Sequence, residues 1–430
     1  MSKHHLISGP VPDGAGPHVL IAIPTVTGQL HENCLHSLLE SLFSLKIRFD
    51  VLLVTRNCHV DDARNACLKE FIDSEATDLL FIDSDVGFEV DAIQRIMSYD
   101  RQDVIAGVYP KKSDTEDYPV RVPPNHVLQA DSDGLVEVHG APTGFMRIPR
   151  IVAEKMLEAY KHQRFVGQSG DSYTVVFERI FVGRERMSGD YAFCERWRRL
   201  GGKVFVDPEI AFTHEGSKEW AGSLGDFWRK KHGVYDMLAN DAIANMKAGN
   251  PTAESFVHLY KAWDNPWSPP PTYLAVVYSM AKKFGTVLEC GSGLTTVVMA
   301  AAGAKVISLE HDPVWLSRVN EVLADHGLEA DVRLSKVTDW YDPPKDDVQY
   351  QLVVIDGPPR KYGRIGVFTH MADKIKEAVI VMDDTDSAEY KGMLDEWKVK
   401  NGGTIQSVDD RFSVYLPALL TAQQEPLTQE

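Results

Sequence analysis

Over its first hundred residues the chain alternates between two hydrophobic periods. The runs HVLIAIPT at 18–25, FDVLLVT at 49–55 and DLLFI at 78–82, with another at 104–108, are short and largely apolar, as strands buried on both faces are. Between them, 32–45, 60–74 and 90–99 bring apolar side chains round every three or four positions, which predicts amphipathic helices. Strands and helices alternating at this spacing predict βαβ units around a mostly parallel sheet. From 114 to 140 the pattern gives way to Pro, Asp and Gly, so hairpins and loops are expected; helices at 150–160 and 190–200 and a strand at 203–206 follow.

A second alternation starts beyond NPWSPPPT at 265–272. Four prolines in eight positions exclude a helix interior or a central strand there. Strands are then predicted at 286–289, 305–310, 352–356 and 378–383, with a helix at 294–302. The expected fold class is α/β with two Rossmann-like domains, one over 17–245 and one over 273–420, joined by a linker at 246–272. A chain of 430 residues suits two or three cores.

Apolar residues at 44% and charged residues at 25% fit a globular chain. The net charge of −17 disfavours a nucleic-acid partner, leaving it only local patches such as Arg196, Arg198 and Arg199, or Arg229, Lys230 and Lys231. The five cysteines are odd in number and show no C-x-x-C spacing, which argues for buried, reduced thiols over disulfides or zinc. Residues 1–17 carry no apolar leader segment, and no run approaches the roughly 20 apolar residues of a membrane span. A cytoplasmic protein with no membrane span is expected, and 423–430 reads as a polar frayed tail.

Asp83-Ser84-Asp85 directly follows the strand at 78–82. Two carboxylates one residue apart beyond the carboxyl end of a parallel strand can hold Mn²⁺ or Mg²⁺, and such a cation binds phosphate oxygens. The same tripeptide also serves as a plain capping turn. Downstream come Gly189-Asp190, an aromatic-Cys-x-Arg helix, Gly201-Gly202, Asp207-Pro208 and His214-x-Gly216. With Pro24-Thr25 and Ala63-Arg64-Asn65, this ordered set over 19–216 resembles glycosyltransferases of the GT-A fold. The resemblance implies a nucleotide-sugar donor whose base and ribose face Pro24 and Thr25, with Arg64 and Asn65 near the donor. It implies that Asp83 and Asp85 contact ribose and metal, Asp85 being the direct ligand, and that His214 completes the metal shell. It makes Asp190 the base that deprotonates an acceptor hydroxyl, although Asp190 also suits a helix cap. Many relatives carry two acids where this chain has Gly189-Asp190, which leaves inversion or retention open. Lys111, Lys112 and the loop 141–146 are acceptor-side candidates by position.

The second alternation carries its own signal. Glu289-Cys290-Gly291-Ser292-Gly293 runs from a strand into a glycine turn, and the third glycine of a dinucleotide fingerprint is missing, which disfavours NAD. The next strand ends in Glu310, an acid able to accept both hydroxyls of a ribose. This arrangement, over 271–416, resembles class I S-adenosylmethionine (SAM)-dependent methyltransferases. The resemblance implies SAM held by Glu289, Gly291, Ser292 and Gly293, by Glu310 at the ribose, and by Asp339 beside Trp340 at the adenine, with Asp356 at the next strand end. Asp356, Asp383 and Asp384 at neighbouring strand ends are similar to the Mg²⁺ ligands of metal-dependent O-methyltransferases, or are plain capping aspartates.

The expectation is a bifunctional enzyme that transfers a sugar from a nucleotide donor to a glycan or other hydroxyl acceptor and methylates a hydroxyl. Two alternatives stand beside it. One is glycosylation of a hydroxymethylated base in phage DNA or of a virion component. The other is a catalytically inactive nucleotide- or carbohydrate-binding scaffold.

Overall fold

The computed structural model describes residues 3–10, 16–123, 128–166, 170, 172–265 and 267–421, and the tail expected at 423–430 lies outside them. The chain divides into two compact units, Met1–Lys231 and His232–Glu430.

The first unit is built on a mixed eight-stranded sheet. Its strands are β1 (Lys3–Ser8), β2 (His18–Thr25), β3 (Arg48–Thr55), β4 (Asp78–Ile82), β6 (Val104–Gly107), β7 (Val136–Val138), β8 (Phe145–Pro149) and β13 (Val204–Asp207). They lie in the order β1-β3-β2-β4-β8-β6-β13-β7. The β3-β2-β4 and β6-β13 pairs are parallel, and β1, β7 and β8 run antiparallel to their neighbours. A second sheet of three strands joins β5 (Val86–Phe88) to β14 (Phe212–Glu215) and β14 to β15 (Glu219–Gly222). Two short hairpins pair β9 (Arg164–Val166) with β10 (Ser172–Thr174), and β11 (Ile180–Val182) with β12 (Glu185–Met187). Helices α1 (Glu32–Ser44) and α3 (Ala92–Ser98) cover one face, and α2 (Val60–Asp73), α4 (Arg150–Ala159) and α5 (Gly189–Arg199) cover the other; α6 (Leu224–Lys231) closes the unit. The period-2 alternation of a strand divides the core accordingly. Along β2, Leu20 and Ala22 join the cluster of α2, α4 and α5, while Val19, Ile21 and Ile23 join that of α1 and α3.

The second unit carries a seven-stranded sheet of β16 (Thr286–Cys290), β17 (Lys305–Glu310), β18 (Asp331–Leu334), β19 (Leu352–Ile355), β20 (Val379–Met382), β21 (Thr404–Ser407) and β22 (Ser413–Leu416). The order is β18-β17-β16-β19-β20-β22-β21, parallel except that β22 is antiparallel to both neighbours. The chain leaves β16 toward β17 and β18, then returns to the other side of β16 as β19. The carboxyl ends of β16 and β19 therefore form a topological switch point, where open α/β sheets bind ligands. The helices are α7 (Val234–Lys247), α8 (Ala253–Trp263), α9 (Pro271–Lys283), α10 (Leu294–Ala301), α11 (Pro313–Asp325), α12 (Gly366–His370), α13 (Ala372–Ile375), α14 (Ala388–Asn401) and α15 (Ala418–Thr421).

Several expectations change. The segment 246–272 is not a bare linker. Thr252 and Ser255 form a capping box that starts α8, whose Phe256, Leu259 and Trp263 pack with α7 and α9 in one core cluster. Pro271 sits in the first turn of α9, where its missing N–H costs nothing. The first sheet also begins ahead of residue 17, because β1 pairs with β3 from Asp50 to Thr55. All five cysteines are free, but Cys58 is exposed while the other four are buried. Arg196 is not on a solvated face either. It is 4% exposed and donates to the carbonyls of Val176 and Glu178. Among the described residues, no helix is long and apolar enough to cross a membrane.

Candidate functional site

In the first unit, Asp83 and Asp85 of the turn between β4 and β5 take different partners. Asp83 faces the sheet interior: Arg64 of α2 donates to its two oxygens at 3.3 and 3.4 Å, and the Tyr109 hydroxyl donates to Oδ2 at 3.2 Å. Burial pushes the Asp83 carboxyl up, and the Arg64 charge only partly offsets this. Gly144 leaves room for the cluster, since a Cβ there would stand 2.5 Å from both Asp83 Oδ2 and the Tyr109 hydroxyl. Asp190, in the first turn of α5, pairs with Arg64 and accepts from the Thr143 N–H at 3.4 Å. Burial works against the Arg64 charge, but Asp190 and Asp83 outweigh it and hold the guanidinium protonated.

Asp85 faces the second sheet. Its carbonyl accepts from the Glu215 N–H at 2.9 Å and from Asn33 Nδ2 at 3.2 Å, fixing the turn against β14. The antiparallel pairing of β14 with β5 sets His214 opposite Val86. His214 Nδ1 donates to the Pro110 carbonyl at 2.8 Å, which aims Nε2 at Asp85 Oδ2, 3.6 Å away. Lys112 Nζ donates to the same oxygen at 2.6 Å. Burial would raise the Asp85 carboxyl, yet the bonds from His214 and Lys112 hold it well below the usual carboxylate range.

The expected residues therefore separate. Asp85 and His214 converge, and a backbone carbonyl orients the histidine as it does for many metal ligands. Asp83 pairs with Arg64 instead, and among the described residues no group of three or more His, Cys, Asp or Glu is arranged to hold a metal ion. A cation here would keep two protein ligands and take the rest of its shell from phosphate oxygens and water, as Mg²⁺ commonly does. Asn65 is a structural residue: its amide donates to the carbonyls of Asp61 and Phe177 and accepts from the N–H groups of Val176 and Phe177. Pro24 and Thr25 end β2, where the Thr25 hydroxyl donates to the Gln29 carbonyl. Asp190 is not the helix cap, a position held by Ser188. Gly189 is bare because a Cβ there would overlap the Asp61 carboxylate, a neighbour that the sequence pattern did not signal.

In the second unit, Gly291 follows β16 at φ +92°, a left-handed conformation that favours glycine. Glu310, at the end of β17 and 3% exposed, accepts from Ser292 N at 3.0 Å, Ser292 Oγ at 2.9 Å, and the N–H groups of His311 and Asp312 at 2.7 and 2.8 Å. Those four bonds use the capacity of its carboxylate. A Cβ on Gly293 would meet only Trp315 Nε1, at 3.8 Å, so the space beside it is open. The Tyr341 hydroxyl, next to Gly357, is buried without a hydrogen-bond partner.

Three expected residues lie elsewhere. Glu289 is wholly buried and accepts from the Thr295 and Thr296 hydroxyls at 2.5 Å each, so it ties α10 to β16. Burial pushes its carboxyl up to about 7 against the hydrogen bonds from Thr295 and Thr296. Asp339 has its side chain 81% exposed, and Trp340 is buried and stacked on His370 rather than open to a base. The three carboxylates at the strand ends do not converge on a metal site. Asp383 is paired by Arg411 at 3.0 and 2.7 Å, and Asp384 by Arg360 and Arg364 at 2.8 Å each. Arg364, 3% exposed, also donates to the carbonyls of Asp356 at 2.7 Å and Asp383 at 3.1 Å. Guanidinium groups thus hold the charge that Mg²⁺ was expected to hold. No local sequence signal marks Arg360, Arg364 or Arg411 as those partners.

No family model matches the chain, and no curated protein matches it. Solved structures similar to it include A197 from STIV, at 19% identity and a TM-score of 0.32, covering 48% of this chain and 91% of that one. A methyltransferase-like protein from Silicibacter pomeroyi is similar at 20% identity and a TM-score of 0.28, covering 35% and 87%. An SAH-bound methyltransferase from Podospora anserina is similar at 14% identity and a TM-score of 0.29, covering 41% and 88%.

Proposed function

We propose that the second unit binds SAM and methylates a hydroxyl, and that the first transfers a sugar from a nucleotide-sugar donor. The observation that carries the first half is the topological switch point at the ends of β16 and β19. Gly291 and Gly357 bring the two backbones together there, Gly293 leaves an open face, and Glu310 stands one strand away. SAM, when bound, supplies an electrophilic methyl group on a sulfonium. The chain's part is to orient it, exclude water and take the acceptor proton. Asp356 suits the last task, because burial and the neighbouring Asp383 push its carboxyl above the usual carboxylate range, toward the neutral range suited to a general base. Titration of the full-length protein with S-adenosylhomocysteine (SAH) checks this: saturable one-site binding is expected, and no heat of binding overturns it.

The second half rests on the convergence of Asp85 and His214 across β5 and β14. These two residues would hold Mn²⁺ or Mg²⁺, which neutralises charge on a departing nucleoside diphosphate. Arg64 and Asp83 shape the interior wall, and Asp190 lies beside Arg64. Incubation with a panel of nucleotide sugars and Mn²⁺, followed by assay of released nucleotide, tests this half. Release from at least one donor, lost in Asp85→Ala, is expected; no release from any donor, or equal release by the variant, overturns it.

A further inference from the structure

Lys112 lies in the loop that follows β6, and three features fasten it over Asp85. The Pro110 carbonyl is tied to His214 at 2.8 Å, and the Lys111 N–H bonds the Asp117 carbonyl at 2.8 Å, which closes the loop on itself. Gly216 leaves room for the lysine stem: a Cβ there would stand 3.0 Å from Lys112 Cδ and 3.1 Å from the Trp220 ring. The ammonium ends 2.6 Å from Asp85 Oδ2, the oxygen that also faces His214 Nε2.

We propose that Lys112 is a built-in counter-ion that competes with a divalent cation for Asp85 and moves onto diphosphate oxygens when cation and nucleotide bind together. The inference rests on reading the first unit as a nucleotide-diphosphate site. An ammonium within hydrogen-bond distance of a carboxylate repels a divalent ion seeking the same oxygen. The Lys112 side chain is 32% exposed, so its end can leave Asp85 while its stem stays against Gly216 and Trp220. A diphosphate supplies new partners for the displaced ammonium. Cation and nucleotide are then positively coupled: each binds weakly alone and more tightly in the presence of the other.

The test uses the full-length protein and Lys112→Met. Mn²⁺ binding without nucleotide is followed by electron paramagnetic resonance of the free ion. Binding of UDP, GDP, CDP, ADP and dTDP at saturating Mn²⁺ is followed by calorimetry. The two effects are expected to oppose each other, with Mn²⁺ alone binding about tenfold tighter to the variant and the preferred nucleotide about tenfold weaker, a shift of about 1.4 kcal/mol each way. Lys112→Arg, which keeps the charge, returns both values toward those of the unaltered protein. An unchanged Mn²⁺ affinity or an unchanged nucleotide affinity in Lys112→Met, at an unchanged melting temperature, overturns the inference alone. If the unaltered protein binds neither Mn²⁺ nor any of the five nucleotides, the nucleotide reading falls and the inference falls with it.

Discussion

A Cβ placed on Gly291 would lie 3.0 Å from the backbone nitrogen of Gly357, so the two glycines hold the ends of β16 and β19 against each other. The obvious variant for blocking SAM, Gly291→Val, therefore meets backbone first. With φ at +92° and no room for a side chain, it should lose roughly 2–4 kcal/mol of stability. Gly293 has open space in the same turn. Gly293→Val should keep its melting temperature and lose SAH binding by calorimetry. Intact binding in that well-folded variant would move the cofactor away from the turn.

Glu289 gives the second unit a pH signature. Its folded carboxyl sits near 7 because of burial, above the roughly 4.3 of an exposed glutamate. Between those values the folded state holds a proton that the unfolded chain has released. Stability is therefore highest below about pH 4.3 as far as this group is concerned, and falls as pH rises through 7 by roughly 3 kcal/mol. Glu289→Gln stays neutral and should flatten that slope between pH 5 and 7.5 in urea titrations. An unaltered slope would show that Glu289 is ionised throughout.

Arg364 is expected to hold the ends of β19 and β20 together without metal. It donates to the carbonyls of Asp356 and Asp383 and to the Asp384 carboxylate. Arg364→Met strands these acceptors and should cost about 3–5 kcal/mol. Lysine cannot reproduce the planar fork, so Arg364→Lys should recover little of the loss. SAH affinity should be the same with Mg²⁺ and with EDTA, because Asp356, Asp383 and Asp384 already face guanidinium groups. A tenfold loss in EDTA would contradict that.

What was legible in the sequence follows from range. The run HVLIAIPT is wholly buried and forms β2 as expected, because a strand covered on both faces needs no partner to declare it. KHHLIS, which forms β1, was missed because positions 4–8 are all exposed and show no buried face. Asp85 was legible because it closely follows a strand that local pattern predicts, whereas no strand was predicted at β14, and its His214 entered only through the resemblance. The direction of neither side chain was legible. The turn of Asp83 toward Arg64, the placing of Lys112 on Asp85 from 27 residues away, and that of Arg411 on Asp383 from 28 all depend on how loops close. The same holds for Glu289, whose position in a glycine motif suggested ligand contact while its two threonine partners make it a brace.

Asp190 gives the sharpest choice between roles. Ser188 occupies the cap position of α5, so helix capping does not explain the aspartate. Its carboxylate pairs with Arg64, which is 4% exposed and has Asp83 as its other acidic partner. Asp190→Asn leaves the shape but removes one of two charges opposing a buried guanidinium, and should cost about 1–3 kcal/mol rather than nothing. If the pair accounts for that cost, Asp190→Asn and Arg64→Met should couple by at least about 1 kcal/mol in a double-mutant cycle read by urea denaturation. A base role makes a separate demand. Transfer to an acceptor should fall about 10²–10⁴-fold in Asp190→Asn, while Mn²⁺-dependent nucleotide binding through Asp85 and His214 persists. A full coupling energy with a normal transfer rate would make Asp190 the counter-ion of Arg64 and nothing more. A collapsed rate in a variant that still binds nucleotide would give it both tasks, since the guanidinium that keeps Asp190 in place would also position it for the acceptor proton.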